Sequence, residues 1–149
     1  MATLINSSEL TVTVNEDIKL NGQQVGSKSI QTISGINEVS KRIFSVPTNE
    51  TEILALSSSA AGGTYITADM QYIRVTNLDD TNFVRLTFSS GVLNRYDMKL
   101  PAKRTAIFTA ASISGSDGGD SFNAFVDFDS MKASADTASV DLELFVAST

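Results

Sequence analysis

A chain of 149 residues, 42% hydrophobic and 19% charged, can bury one core without crosslinks and is too apolar to stay disordered. It contains no His, Cys or Trp, which removes the commonest general base, the thiol nucleophile, a Ser-His-Asp triad and the usual zinc, haem and iron–sulfur ligand sets. A net charge of −6 argues against nucleic acid as a partner, and no apolar run approaches the ~20 residues of a membrane helix or reads as a signal peptide.

Along the chain, apolar and polar residues alternate with period two, and no stretch holds a period of 3.6. Residues 10–14 alternate cleanly through Leu10, Val12 and Val14. Asn21-Gly22 follows Ile18 and Leu20, a strong turn signal between short strands. Ile30, Ile33 and Ile36 lead to an apolar run at 43–46 that Pro47 stops, and 53–56 reads as the next strand. The clearest unit follows: 72–76 and 83–88 are alternating strands around a polar stretch at 77–82, which predicts a β-hairpin. Further strands are expected at 96–100, at 105–109 after the Pro101 turn, around Phe122, Phe125 and Phe128, and at 140–146. Helical turns fit only at 36–42 and 131–138.

Roughly eight or nine short strands with no amphipathic helix predict an all-β fold. We expect a single antiparallel β-sandwich domain over residues 1–149, jelly-roll-like, with 1–14 as an arm or edge strand. Its core should hold Val12, Ile43, Ile53, Ile73, Val75, Val84, Leu86, Phe88, Ile107, Phe125, Leu142 and Leu144.

Chemistry is sparse. The 115–121 loop places Asp117 and Asp120 among Gly and Ser, but it lacks EF-hand spacing and reads as a solvated turn. Asp127-Phe128-Asp129 matches a metal-binding pair only in its letters, and on a strand it is an ordinary half-buried pattern. Paired carboxylates for glycoside hydrolysis lack the Trp platform that usually accompanies them. No nucleotide-binding loop or nucleophile elbow is present. The expectation is a protein that is not an enzyme and needs no cofactor or metal.

The stretch from Tyr72 to Leu86, with Thr76-Asn77-Leu78-Asp79 and Asn82 between two strands, resembles small structural proteins of tailed bacteriophages, including those of marine hosts. Leu100-Pro101 stands where such proteins open a later strand, although Ala102-Lys103 follows where they favour Gly or Ser. The resemblance covers residues 40–110. It implies a virion structural protein, assembled in the host cytoplasm, that decorates the capsid and cements the major capsid protein lattice. Length near 150 and the lack of coiled-coil heptads favour that role over the alternatives, a head–tail connector, a tail component or a carbohydrate- or cell-surface-binding module. The partners implied are the capsid or other virion proteins and further copies of the chain, as a homotrimer from the threefold sites such proteins occupy, with no nucleic acid and no membrane.

Charge suggests where contacts form. Residues 74–104 carry six basic side chains against three acidic ones, and residues 105–149 carry one against seven. In a 72–88 hairpin, Arg74 would lie opposite Arg85 or opposite Thr87, with both arginines on one outward surface. They are therefore expected to pair with acids from the C-terminal third or from another subunit. Leu10, Val12 and Val14 form an unprotected edge that invites strand addition.

Overall fold

The computed structural model describes residues 6–90, 94–109 and 128–149, and about two thirds of these lie in β-strands. The first strands build a long two-stranded ribbon. β1 (Ser8–Asn15) pairs with β4 (Lys28–Ile36), and beyond them β2 (Lys19–Leu20) pairs with β3 (Gln23–Gln24). The ribbon closes on a two-residue turn in which Asn21 and Gly22 both have positive φ, 51° and 81°, as the Asn-Gly pair predicts. Val25 N–H donates to the Ile18 carbonyl and Glu16 N–H to that of Ser27, so pairing continues between the two ladders. Gly26 is required there, because a Cβ would lie 1.8 Å from the Glu16 carbonyl oxygen.

The remaining strands are β5 (Glu38–Val46), β6 (Thr51–Ser57), β7 (Tyr65–Ile66), β8 (Met70–Asn77), β9 (Val84–Ser90), β10 (Asn94–Leu100), β11 (Thr105–Thr109), β12 (Ser130–Ala135) and β13 (Val140–Ser148). One sheet has the order β5-β13-β8-β11, and the other has β7-β6-β12-β9-β10. Among the described strands only the short β6–β7 pair is parallel. With β7 set aside, the eight long strands numbered from β5 fall in the orders 1-8-3-6 and 2-7-4-5. That connectivity is a jelly roll. The fold is an antiparallel β-sandwich.

Alternation turns one side of each strand into a wall of the core. Ile73, Val75, Leu142, Leu144 and Val146 line one wall, and Ile53, Val84, Leu86, Phe88 and Met131 line the other. Phe88 is the aromatic hub, edge-on to Phe108 at 5.2 Å and to Phe128 at 5.6 Å. A second, smaller cluster lies outside the sandwich. There Ile33, Ile36, Leu10 and Val12 from the ribbon cover Tyr72, Phe145 and Ala147 on the outer face of the β5-containing sheet.

The structure corrects several expectations. The 72–76 and 83–88 strands do not form a hairpin: β8 pairs with β11 and β13, and β9 pairs with β10 and β12 in the opposite sheet. Residues 77–83 instead turn a corner between sheets. Two alternating strands bury the same residues whether they lie side by side or face each other across a core, so the pattern alone does not choose. The corner is built around Asn77, which is fully buried. Its Nδ2 donates to the carbonyls of Asn82 (2.9 Å) and Leu100 (3.2 Å), while its Oδ1 accepts from Asp79 N–H (3.0 Å).

Ile43 and Ile107 are surface residues, not core, because β5 sends Phe44 and Val46 inward and β11 sends Ala106 and Phe108 inward. Shifting a strand's parity by one residue exchanges its faces. Val12 is half-buried on the ribbon's underside, in the outer cluster with Tyr72, instead of inside the sandwich. The segments expected to make helical turns are strands. Residues 38–42 belong to β5, and β12 is a central strand whose Ala133 and Ala135 are small enough to pack beneath its neighbours. Phe122, Phe125, Asp127 and the 115–121 loop lie outside the described residues.

Candidate assembly surface

Arg74 projects from β8 onto the outer face of its sheet, opposite Ile107 on one side and Phe145 on the other. Its Nη2 donates to Glu143 Oε1 at 2.6 Å and its Nη1 to Thr76 Oγ1 at 3.1 Å. The guanidinium carbon lies 5.7 Å from the Phe145 ring centre. Lys41 Nζ approaches the other Glu143 oxygen at 3.1 Å. Glu143 is thus a half-buried carboxylate clamped between two cations. Burial works to raise its pKa, but the hydrogen bonds and charges of Lys41 and Arg74 outweigh it and hold the carboxyl below its ordinary value. Burial also raises the Tyr72 phenol, and the nearby Arg74 charge opposes the rise.

Arg85 is elsewhere. It lies on the outer face of the opposite sheet, across from Lys99 and Ser134, so the two arginines do not share a surface. Its nearest acid is Asp97, at 4.0 Å with both side chains exposed, a contact of little energetic weight. Asp97 is held more firmly by Thr87 Oγ1 at 2.7 Å and Arg95 Nε at 3.1 Å, and these lower its pKa. Arg95 and Lys132 both reach Glu50, so this face is a lattice of exposed ion pairs.

Of the three apolar edge residues, Leu10 and Val12 turn towards Tyr72 and Phe145 and line a shallow groove with Arg74. Val14 lies further along the ribbon and is 45% exposed. Among the described residues β1 joins neither sheet of the sandwich and pairs with β4 alone. The apolar residues of the ribbon tip, Ile18, Leu20 and Val25, are each more than half exposed. In the sequence, Ile18 and Leu20 mark only the approach to a turn. Their signal is the even-numbered apolar series Leu10, Val12, Val14, which resumes at Ile18 and Leu20 after Glu16.

Among the described residues no group of three or more Asp, Glu, His or Cys side chains is placed to hold a metal ion. What this surface offers chemically is apolar area on a projecting ribbon beside a fixed, net-positive ion cluster.

No family model matches the chain, and no curated protein matches it. Among solved structures, a protein of Bacillus endospore appendages, described as disulfide-linked pili, aligns over 100% of this chain and 96% of its own. The identity is 12% and the TM-score 0.44, a likeness that carries no argument about role.

Proposed function

We propose that this chain is a non-enzymatic structural subunit of a bacteriophage virion, a head-decoration protein that docks on the capsid lattice and stabilises it. The observation that carries the reading is the ribbon. A two-stranded β-element that leaves its sandwich and keeps large apolar side chains in water is costly for a solitary protein and useful for one that assembles. The sandwich supplies a stiff body whose interior is filled by side chains, and the ribbon supplies reach. The virion setting rests on the sequence resemblance over residues 40–110. The absence of His and Cys from the whole chain removes the commonest general base and the thiol nucleophile, which is compatible with a structural role.

The test is co-sedimentation of purified protein with capsids that lack it, followed by heating of the complexes. Saturable binding to heads and a raised disruption temperature support decoration. Binding to isolated necks or tails instead would make it a connector or tail component. Selective binding on a glycan array without capsid binding would make it a carbohydrate-binding module. Either of those results replaces the proposal.

A further inference from the structure

The ribbon is one amphipathic element whose two halves have different surroundings. Ten residues on each strand separate the pair Leu10–Ile33 from the pair Leu20–Gln23, so no residue is inserted between them and the facing is kept. Leu10, Val12, Val14, Ile18 and Leu20 therefore share a face, with Glu16 among them. The opposite face is polar at the tip, where Gln24 donates to Asp17 at 3.0 Å beside Lys19. The near half of the apolar face lies on Tyr72 and Phe145. The far half is bare: Val14 is 45% exposed, Ile18 54%, Leu20 60% and Val25 55%.

The same chain presents a matching surface. On the outer face of β5, Val39 and Ile43 are 56% and 60% exposed, with Lys41 between them at alternate positions. Val14-Glu16-Ile18 on the ribbon reads apolar, acid, apolar. Val39-Lys41-Ile43 on the sheet reads apolar, base, apolar at the same spacing. The sheet side carries positive charge to spare, because Lys41 and Arg74 share the single carboxylate of Glu143.

We infer that the far half of the ribbon docks on the outer face of β5 in a second copy of this chain, apolar on apolar, with Glu16 against Lys41. In a two-fold pair each copy gives one ribbon and receives one. Six half-exposed aliphatic side chains per copy, at on the order of 80 Å² each, supply about 500 Å² of apolar surface. A standard interface buries ~800 Å² per partner, rather more than half of it apolar, so two reciprocal docks meet the requirement and one alone does not. This favours a pair over the trimer that the resemblance implies. The inference deepens the assembly reading but needs no capsid, so it is tested on purified protein and its failure leaves capsid binding to be judged separately.

Light scattering of the full chain between 10 and 100 µM should give twice 15.9 kDa. Ile18→Asp with Leu20→Asp alters only exposed positions. It should keep the circular dichroism and melting temperature of the monomer while weakening self-association more than about a hundredfold. Glu16→Lys should weaken the pair, and adding Lys41→Glu in the same chain should restore it. Because the chain has no cysteine, Ile18→Cys protein mixed with Val39→Cys or Ile43→Cys protein, the two positions that flank Lys41 at the spacing that separates Ile18 from Glu16, should give a disulfide-linked heterodimer in one of the two mixtures under mild oxidation. A wild-type monomer at 100 µM, a larger ring, unchanged mass in the double aspartate variant, or a trap dominated by Ile18→Cys homodimers overturns the assignment.

Discussion

Asn77→Ala separates the observed corner from the hairpin that the sequence suggests. At a hairpin's polar tip the side chain would be exposed, and its loss would change stability by no more than about 0.5 kcal/mol. In the structure it is fully buried and makes three hydrogen bonds, two as donor and one as acceptor. Truncation leaves the carbonyls of Asn82 and Leu100 and the N–H of Asp79 without that partner. Asn82 and Asp79 are half-exposed and recover water, whereas Leu100 is 4% exposed. One buried orphan and two partly recovered groups make a loss of about 2–4 kcal/mol. For a chain of this length that lowers the melting temperature by about 4–16 °C. Asn77→Asp keeps the shape and the acceptor for Asp79 but turns an oxygen towards two carbonyls. It should be the more damaging change at pH 7 and recover as acid protonates the buried carboxyl. Urea denaturation of both variants at pH 7 and pH 5 is the assay. An Asn77→Ala protein within 0.5 kcal/mol of wild type would refute the corner.

Three further outcomes follow from the same contacts. Because its folded pKa lies below the ordinary 4.5, Glu143 contributes stability that is full above that value and lost as pH falls through the lower folded pKa. Glu143→Gln should therefore flatten the acid limb of the stability–pH curve, and an identical limb would show the clamp to be inert. Val46→Ala should cost ~2 kcal/mol by chemical denaturation because Val46 is fully buried, whereas Ile43→Ala, one pleat out of phase, should cost under ~0.5 in the monomer. Equal losses would mean that β5 is facing the other way. Gly26→Ala should abolish hydrogen-exchange protection at Glu16 and Val25 while leaving the sandwich's melting temperature within about 1 °C, since it disrupts the ribbon alone. A global loss of stability would show the ribbon to be part of the folding unit.

The fold class was legible because period-two alternation survives in nearly every strand. β11 and the last strand fall close to where the pattern places them, and the Asn21-Gly22 turn has the positive φ values its chemistry demands. What alternation does not encode is which strand lies beside which. Ile73 and Val84 bury the same surface in a hairpin or across a sandwich, and the deciding information is the polar side chain of Asn77, which reads as a tip residue until its partners are seen. Parity failed where both faces of a strand are apolar, as at Ile43-Phe44 and Ile107-Phe108. Arg74 found its acid in the C-terminal third because β13 inserts between β5 and β8, a neighbourhood set by topology and not by sequence distance.

The ribbon shows how one local pattern can be divided between folding and assembly. Its apolar stripe was visible in two pieces, Leu10 to Val14 and the residues before Asn21-Gly22, and the unbroken pairing joins them. A stripe that served folding alone would end where the sandwich ends. Here it continues past Tyr72 and Phe145, through Glu16, to a tip whose apolar side chains are each more than half exposed. The acid at the midpoint matters for specificity. An uninterrupted apolar tip would adhere to any exposed hydrophobic surface, including the growing edge of an aggregate. The exposed Glu16 carboxylate, which accepts from Ser27 Oγ at 2.8 Å, restricts it to surfaces that offer a cation at the matching pleat, since a charge left without a counter-ion at the centre of a contact is penalised. On this molecule that condition is met on β5, where Lys41 sits between two exposed aliphatic side chains and already leans on a carboxylate shared with Arg74.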